Sequence, residues 1–408
     1  MPSSQPRIAI VGGGPAGLTL GLLLHQKNVP FTIFELRPHP TDADFAALSG
    51  SLDLHEESGL SALRECQLLD EAMALTGDCT QEQRIASKSG EVIFYFKDSL
   101  GQPEIYRHDL MKLLVSRFPV DSIRWGHKLL RAERKTSSSS VELDFGEKGK
   151  FEFDLVIGAD GAWSRVRSLL TNIRPHYAGL QNITLHIRNI TTRYPHLADL
   201  IRRGTFYCLG DHHGVVSQRA ARDSARVYIM LSTADKDYAA SKGLAGSTPS
   251  EAKQILVGEN GILSTWGDII KDLVAVACDD ESRNNGGAAL DINALHTLPF
   301  KYGWEHRSDA TLIGDASHLL NPPAGKGVNF AMHDALLLAR AIANAHDVSD
   351  KDGVTLKAAL DGAIKDFEAG MFIRAMENAE GAKDILEIMW KGEDGSASMA
   401  GWFRKHVP

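Results

Sequence analysis

Cysteine is scarce in this chain, with four among 408 residues, at Cys66, Cys79, Cys208 and Cys278. No two of them have the Cys-x-x-Cys spacing of a zinc or redox site, so the sequence predicts reduced, mostly structural thiols and no metal centre. Long apolar runs are also missing. Because no stretch of about 18 apolar residues occurs, no membrane-spanning helix is expected.

A strong excess of one charge is lacking too. The chain has 44 lysines and arginines against 52 acidic residues, a net charge of -8 with both signs mixed, which argues against nucleic acid as the main partner. The first six residues lack the apolar segment of a signal peptide, so a cytoplasmic location is expected. No pattern of a zinc enzyme or serine hydrolase is present.

A glycine-rich turn follows the first apolar segment. Residues Arg7 to Val11 are typical of a buried parallel strand, and Gly12, Gly14 and Gly17 follow in the order G-x-G-x-x-G. In nucleotide-binding folds these glycines permit a tight turn, close approach of the backbone to a pyrophosphate, and close packing of helix on sheet. Leu18 to Gln26 predicts that helix, whose N-terminus would face the pyrophosphate.

An acidic residue lies at the expected distance beyond these glycines. Phe31 to Phe34 predicts a second strand, and Glu35 follows it directly. A carboxylate about 20 residues past the glycines can accept hydrogen bonds from the ribose hydroxyls of an adenosine. The alternative is a tight turn in an α/β protein that binds no nucleotide.

A second glycine-containing segment, residues 314–329, ends a strand and opens a helix near Gly327. Asp315 is suited to hydrogen bonding with a sugar-alcohol chain, and Pro322 with the nearby glycines would let backbone N–H groups approach a planar ring. The helix N-terminus would stabilise negative charge on the N1 and O2 edge of a reduced flavin. A proline–glycine loop without a ligand is the alternative.

A third motif, Asp160-Gly161, follows the apolar strand predicted from Phe153 to Ile157. Arg165 and Arg167 come soon after it and are basic residues that could lie near a diphosphate. The alternative is that Asp160 only caps the next helix.

The middle of the chain has a different pattern. Several β-rich segments recur between Tyr177 and Asp237, which is typical of an antiparallel sheet. Asp279 to Gly287 is polar and is predicted to be a loop, and Leu356 to Trp390 predicts one or two long helices. The sequence therefore predicts one discontinuous α/β domain and one β-rich domain.

In this order and spacing, the three motifs resemble the group A aromatic monooxygenases of the para-hydroxybenzoate hydroxylase type. Segments 50–55, 103–110 and 312–329, with residues 371–373, are more closely similar to the tetracycline-inactivating flavin monooxygenases. The resemblance covers nearly the whole chain. It implies bound FAD, transient NADPH, and insertion of one oxygen atom from O2, via a flavin C4a-hydroperoxide, into an aromatic or polyketide-like small molecule.

The resemblance also implies a fold and a division of the chain. The expected class is α/β, with a discontinuous Rossmann-like FAD-binding domain, a β-sheet substrate domain and a C-terminal helix. The expected parts are 1–76, 105–175 and 301–370 for the FAD-binding domain, 77–104 (a hairpin) and 176–300 for the substrate domain, and 371–408 for the C-terminal helix region. A monomer or weak dimer is expected.

The implied cofactor contacts are numerous, whereas no catalytic acid or base is expected, because the protein mainly positions the flavin and excludes water. The predicted cofactor-binding residues are Gly12, Gly14, Pro15, Ala16, Gly17, Glu35, Leu36, Arg37, Asp53, Arg107, Asp160, Asp315, Pro322, Gly325, Gly327, Val328 and Asn329. The predicted substrate contacts, for which a place in the core is the alternative, are Phe206, Tyr228, Phe300 and Pro323.

Two positions depart from the tetracycline-inactivating enzymes. Ala46 stands where those enzymes have an arginine that helps to bind NADPH, and Val227 stands where they have a substrate-binding histidine. The cofactor contacts are therefore expected to be retained and the substrate contacts changed. A flavin oxidase or dehydrogenase on the same scaffold, and a non-catalytic flavin-binding module, are the alternative functions.

Overall fold

A computed structural model describes residues 5–76, 82–97, 103–119, 121–136, 140–220, 222–299, 301–320, 325–352, 354–390 and 394–406. Its strands are β1 (Ile8–Val11), β2 (Phe31–Phe34), β3 (Ser51–Asp53), β4 (Glu82–Ala86), β5 (Val92–Lys97), β6 (Glu104–Tyr106), β7 (Ile123–Arg124), β8 (Arg131–Arg134), β9 (Val141–Asp144), β10 (Lys150–Phe153), β11 (Leu155–Gly158), β12 (His176–Arg188), β13 (Thr205–Gly210), β14 (His213–Ala220), β15 (Ser224–Ser232), β16 (Ile292–Thr297) and β17 (Ala310–Leu312).

The α-helices are α1 (Pro15–Gln26), α2 (Asp42–Ala46), α3 (Ser61–Glu65), α4 (Leu69–Ala74), α5 (Arg107–Val115), α6 (Ile190–Arg193), α7 (Pro195–Ile201), α8 (Tyr238–Ser241), α9 (Pro249–Val257), α10 (Asp268–Asn284), α11 (Gly327–Asp352), α12 (Leu356–Trp390) and α13 (Gly395–His406). None of the helices in the described part of the chain combines the length and apolar character needed to cross a bilayer.

The chain divides into two compact units. The first comprises residues 1–75, 105–176 and 296–381, and the second comprises 76–104, 177–295 and 382–408. Helix α12 is a single helix, and the boundary predicted between residues 370 and 371 falls inside it.

The first unit is built on a parallel five-stranded sheet with the order β17-β11-β1-β2-β7. All its strand pairs are parallel, and β1 lies at the centre. Each residue of β1 is buried, because Ile8 and Ile10 pack in one apolar core with α1 and α11, and Ala9 and Val11 pack in another with the three-stranded sheet β10-β9-β8. The predicted α/β class and Rossmann-like first domain are confirmed.

Two glycines of the first turn are required by the fold itself. Gly12 has a φ of +113°, and a Cβ there would lie 2.1 Å from the carbonyl oxygen of Ala159. A Cβ on Gly17 would lie 1.9 Å from the carbonyl oxygen of Gly12. Any side chain at either position would displace the backbone, so the fold requires glycine at both positions whether or not a ligand binds.

The second unit contains a seven-stranded sheet with the order β16-β12-β15-β14-β13-β4-β5. Alternate residues of its strands face opposite sides. One face, which includes Phe206, Val227 and Ile229, packs against apolar residues of α9 and α10. The opposite face includes Tyr207, Tyr228 and Met230 and is partly covered by the end of α12 and by α13.

The polar loop predicted from Asp279 to Gly287 is wrong for most of its length, because α10 continues to Asn284. Asp280 is fully buried in that helix. Its carboxylate accepts hydrogen bonds from the backbone and guanidinium of Arg188, at 3.1 and 3.0 Å, and pairs with Arg193. These cations lie about 90 residues earlier in the chain, so the sequence around Asp280 gives no sign of them.

Candidate functional site

A cavity of about 540 Å³ lies in the first unit, where the carboxyl ends of its parallel strands meet. Segments that follow β1, β2, β7, β11 and β17 all contribute to its walls, as does the start of α11. This edge of an open parallel sheet is the usual place for a ligand. The lining residues are Val11, Gly12, Gly14, Pro15, Ala16, Phe34, Glu35, Leu36, Arg37, Leu52, Arg107, His127, Lys128, Leu129, Ala159, Asp160, Gly161, Ala162, Trp163, Arg165, Ile313, Asp315, Gly327, Val328 and Ala331.

The N-terminus of α1 opens into this cavity. Gly14 is the N-cap and supplies no side-chain hydrogen bond, Pro15 begins the helix, and no acidic residue lies in its first turn. A Cβ built on Gly14 would have no atom within 4 Å. Free backbone N–H groups, a positive helix end and open space in front of them together fit a pyrophosphate.

Glu35 joins the glycine turn to the second strand. Its side chain is buried, with 6% of the residue exposed. One carboxylate oxygen accepts a hydrogen bond from the backbone N–H of Gly13 at 2.7 Å, and the other accepts one from the N–H of Arg37 at 3.0 Å. Each oxygen retains a second lone pair, so the carboxylate can also accept hydrogen bonds from ribose hydroxyls.

Asp160 lines the cavity and also caps the short helical turn that follows it. Its carboxylate accepts hydrogen bonds from Ser164 Oγ at 2.5 Å, from the N–H of Arg165 at 2.7 Å and from the N–H of Val166 at 3.3 Å. Burial raises the pKa of this carboxyl, while the hydrogen bonds act in the opposite direction. The capping role, left open by the sequence, is therefore present.

Arg167 joins two loops of the site and does not face a diphosphate. Only 3% of the residue is exposed. Its Nε donates to the carbonyl oxygen of Ala316 at 2.8 Å, Nη1 to that of Ala162 at 2.9 Å, and Nη2 to that of Asp315 at 3.1 Å. The guanidinium therefore connects the Asp160 turn to the Asp315 turn. Arg165, in contrast, is exposed and lines the cavity.

A buried ion pair stabilises the turn that carries Asp315. Although Asp315 is exposed on the cavity wall, the surrounding protein partly desolvates its carboxyl and raises its pKa, against the opposing effect of nearby positive charges. Three residues later, His318 Nε2 bonds to the carboxylate of Asp334, which also accepts the N–H of Gly314 at 3.1 Å. Although burial favours a neutral ring, the Asp334 charge raises the pKa of His318.

Asn329 does not line the cavity, because its side-chain amide is hydrogen-bonded to other parts of the protein. Its Oδ1 accepts hydrogen bonds from the N–H of His55 at 2.9 Å, from Ser58 Oγ at 3.3 Å and from the N–H of Gly59 at 3.3 Å. Its Nδ2 donates to the carbonyl oxygen of Asp53 at 2.7 Å. With 1% of the residue exposed, Asn329 positions the segment from residue 53 to residue 59.

Replacing Asn329 by leucine is therefore expected to destabilise the first unit. The leucine side chain has a similar volume, but three donors would lose their acceptor, and we expect the free energy of unfolding to fall by about 3 kcal/mol. Asn293→Leu, at an exposed position of strand β16, should change it by less than about 0.5 kcal/mol. Chemical denaturation of both variants measures the difference, and equal small losses would contradict the role given to Asn329.

The cavity brings together most of the predicted cofactor residues. Gly17, Asp53, Gly325 and Asn329 are not among its lining residues, and Pro322 lies outside the described part of the chain. The predicted residues that do line it are Gly12, Gly14, Pro15, Ala16, Glu35, Leu36, Arg37, Arg107, Asp160, Asp315, Gly327 and Val328.

Of the predicted substrate contacts, Phe206 belongs to the core. Its side chain is fully buried on the helix-covered face of the second unit's sheet, so it lines no surface pocket. Tyr228 is part-exposed on the opposite face, so the two side chains do not share one wall. Phe300 and Pro323 lie outside the described residues. Val227 is fully buried on the same face as Phe206.

Several wall residues carry no motif and were missed by sequence reasoning. His127, Lys128 and Leu129 follow β7, and the N–H of His127 donates to the carbonyl oxygen of Glu35 at 2.8 Å. Only their position could have indicated this role, because they follow a strand that runs parallel to β2 and therefore lie at the same edge of the sheet. Trp163, 61% exposed, lies on the Asp160 turn.

Comparison with known proteins identifies similar sequences and folds. The family model described as FAD binding domain matches residues 6–269 and 305–352. Over 422 aligned residues the chain is 35% identical to the monooxygenase penA of Penicillium thymicola, covering 95% of this chain and 94% of penA.

Two solved structures share the fold. HpxO of Klebsiella pneumoniae, in complex with FAD and uric acid, gives a TM-score of 0.75 at 17% identity, covering 98% of this chain and 92% of HpxO. The tetracycline destructase Tet(51) gives a TM-score of 0.68 at 14% identity, covering 98% of this chain and 96% of that protein.

Proposed function

The chain belongs to the FAD-binding-domain family and is an FAD-dependent monooxygenase, and on this premise we propose that it oxygenates a planar, polar ring compound with NADPH as reductant. The predicted family and the FAD cofactor are confirmed. The substrate class, the choice of NADPH and the residue roles that follow are proposals.

We assign the roles because separate segments of the chain meet in one cavity. Each segment has chemistry suited to a different part of FAD. The N-terminus of α1 at Gly14 would hold the pyrophosphate, Glu35 the adenosine ribose, and Asp315 the ribityl chain. Gly327 and Val328, at the start of α11, would lie beside the ring system.

FAD, when bound, supplies the redox chemistry by accepting hydride from NADPH and delivering electrons to O2. The protein's part is to orient the cofactor and substrate and to exclude water. The start of α11 has no acidic residue in its first turn, so its N-terminus would favour negative charge on an adjacent ring. Arg167 and the His318–Asp334 pair would fix the turns that carry Asp160 and Asp315.

The substrate class is supported by the ligands and names of proteins with the same fold. HpxO was crystallised with uric acid, and the destructases are named for tetracycline. Both are ring systems that carry several polar groups, and hydroxylation is the reaction we expect. The sequence contains one glycine triplet, at Gly12, Gly14 and Gly17, and this triplet is assigned to FAD. Because a second triplet for NADPH is absent from the sequence, NADPH is proposed to bind transiently.

The reaction type is tested by incubating the flavin-loaded protein with NADPH, ¹⁸O₂ and a panel of aromatic and polyketide compounds. We expect at least one compound to stimulate NADPH oxidation and to gain one labelled oxygen atom, measured by mass spectrometry. Substrate turnover that never incorporates label would favour an oxidase or dehydrogenase. Bound FAD that NADPH fails to reduce would contradict NADPH as the reductant.

A further inference from the structure

A buried carboxylate joins strand β17 to helix α12 within the first unit. It belongs to Glu368 of α12, of which 2% is exposed. Its Oε1 accepts hydrogen bonds from Nε1 of Trp304 at 3.0 Å and from Oγ1 of Thr311, in the middle of β17, at 2.8 Å. Its Oε2 pairs with Nδ1 of His306 at 2.7 Å. Both carboxylate oxygens therefore bind the same short segment of the chain, residues 304–311.

The ring of His306 lies between two carboxylates. Its Nε2 lies 3.0 Å from Oδ1 of Asp361, which is about two helical turns before Glu368 on α12. A carboxylate only accepts hydrogen bonds, so a ring that bonds to a carboxylate through each of its nitrogens needs a proton on both. The neutral ring has one such proton and satisfies one of the two contacts. The geometry therefore fits the imidazolium form of His306.

The positive charge of His306 matters most to Glu368. In the described part of the chain, His306 is the only ion-pair partner of this buried carboxylate, and removing the charge of one partner from a buried pair is costly. Although burial favours a neutral ring, the hydrogen bonds to Glu368 and Asp361 and the charges of both raise the pKa of His306. The side chains of His306 and Asp361 are 19% and 47% exposed, so protons from solvent can reach the ring.

The other charged residues of this segment are paired with one another or with a neighbouring strand. Glu305 and Arg307, on either side of the histidine, are exposed and form an ion pair at 3.4 Å. Asp309, which precedes β17, accepts two hydrogen bonds from the guanidinium of Arg134 on β8, at 2.6 and 2.7 Å. The two carboxylates of α12 are therefore the charges that decide whether the histidine is protonated.

Strand β17 leads directly into the turn that carries Asp315. Beyond the strand, Asp334 of α11 accepts a hydrogen bond from the N–H of Gly314 and pairs with Arg374 of α12 at 3.4 Å. Helix α12 thus stabilises the strand and its turn at two places, directly through Glu368 and indirectly through Arg374. Weakening the contact at Glu368 would leave the indirect one alone.

We propose that His306, Asp361 and Glu368 form a pH-sensitive latch, in which the protonated ring fastens β17 to α12 and keeps the Asp315 turn in the form that binds FAD. The connection to FAD rests on the proposed function, whereas the latch itself does not. Because folding favours the protonated ring, the stability that the latch contributes is complete below the unfolded pKa of about 6.5. It is lost as the pH rises through the raised pKa of the folded protein.

The latch is tested by chemical denaturation of the apoprotein in a double-mutant cycle of His306→Gln and Glu368→Gln, repeated from about pH 6 to about pH 9. Glutamine keeps hydrogen-bonding groups at each position but removes the charge. We expect the coupling between the two positions to change the unfolding equilibrium constant by at least about tenfold at the lower pH and by less than about threefold at the higher pH. The cycle cancels the contributions of other titrating groups, such as His318.

A second histidine–carboxylate pair provides the matched control. Nε2 of His196 lies 2.7 Å from a carboxylate oxygen of Asp272, and both side chains are about half exposed. The corresponding cycle of His196→Gln and Asp272→Asn should give a coupling below about threefold at every pH, because water screens an exposed pair.

The connection to FAD is tested by fluorescence titration of the apoprotein with FAD at the same two pH values. At the lower pH we expect the wild type to bind FAD at least about threefold more tightly than His306→Gln does, and at the higher pH we expect the two affinities to converge. Linkage is reciprocal, so bound FAD should raise the pKa of His306, measured by NMR titration of histidine-labelled protein with His306→Gln to assign the signal.

A coupling between His306 and Glu368 that is small, or the same at every pH, would overturn the latch. If Glu368→Gln does not fold, the NMR titration of the wild type decides, and a pKa of His306 at or below about 6.5 would overturn it. A pH-dependent coupling with no effect on FAD affinity would reject the connection to the Asp315 turn. Failure to bind FAD at any pH, with the coupling still pH-dependent, would reject the proposed function alone.

Discussion

A Gly14→Val variant is expected to fold as the wild type does and to bind FAD about 100-fold more weakly. The backbone at Gly14, with φ −79° and ψ −176°, is extended and suits any residue. A Cβ there meets no atom within 4 Å, because it projects into open space at the N-terminus of α1. Valine would therefore occupy the volume proposed for the pyrophosphate without disturbing the protein.

Fluorescence titration of the apoprotein with FAD measures this loss, and thermal unfolding of the same sample checks the fold. Gly12→Val is the contrasting variant, because its positive φ and the carbonyl of Ala159 make it lose stability as well as FAD. Gly362→Val is the matched control, since a Cβ at Gly362 of α12 also meets no atom within 4 Å. A Gly14→Val protein with wild-type affinity would exclude the pyrophosphate from this position.

Arg167→Met is expected to lower the free energy of unfolding by about 3–5 kcal/mol and to weaken FAD binding as well. Methionine fills much of the volume, but it leaves the carbonyl oxygens of Ala162, Asp315 and Ala316 without the donors that Arg167 supplies. Burying acceptors without partners costs about 1–3 kcal/mol each. The turn that carries Asp315 would also lose its connection to the Asp160 turn.

Chemical denaturation of the apoprotein and FAD titration measure the two effects of Arg167→Met separately. Arg167→Lys should recover only part of the stability, because one ammonium group cannot reproduce the three-way geometry of the guanidinium. Arg165→Met, on an exposed neighbour, should change the free energy of unfolding by less than about 0.5 kcal/mol. A loss no larger for Arg167→Met than for Arg165→Met would show that Arg167 does not join the two turns.

The cofactor cavity could be predicted from sequence because its key features are local. Gly12, Gly14 and Gly17 are spaced along one turn, and Glu35 follows the next strand directly. A strand–turn–helix–strand unit brings the glycine turn and the acidic residue together in any protein that contains it. Asp315 was recognisable for the same reason, since it ends one strand and precedes one helix.

The residues that support the cavity could not be predicted, because their partners are distant in the chain. The Nε of Arg167 bonds to a carbonyl 149 residues later, and Asn329 accepts from an N–H that is 274 residues earlier. Arginine and asparagine are both residue types that often contact ligands directly. Only the packed fold shows that their polar atoms are already paired within the protein.

The substrate contact predicted at Phe206 failed for a different reason. Phe206 and Tyr228 both lie in apolar strands, and alternation places successive residues on opposite faces. The sheet of the second unit has apolar residues on both faces, so the pattern does not tell which face is the core. Strand register and helix packing decide that Phe206 is internal and Tyr228 is not.

Titration of the purified apoprotein with FAD tests the central claim most directly, since every proposed role depends on FAD in the cavity at the carboxyl edge of the parallel sheet. We predict saturable binding of one FAD per chain, with a visible flavin spectrum that the wild type retains through gel filtration and Gly14→Val does not. A protein that remains colourless after incubation with FAD, or binds it equally well with valine at position 14, would contradict this placement.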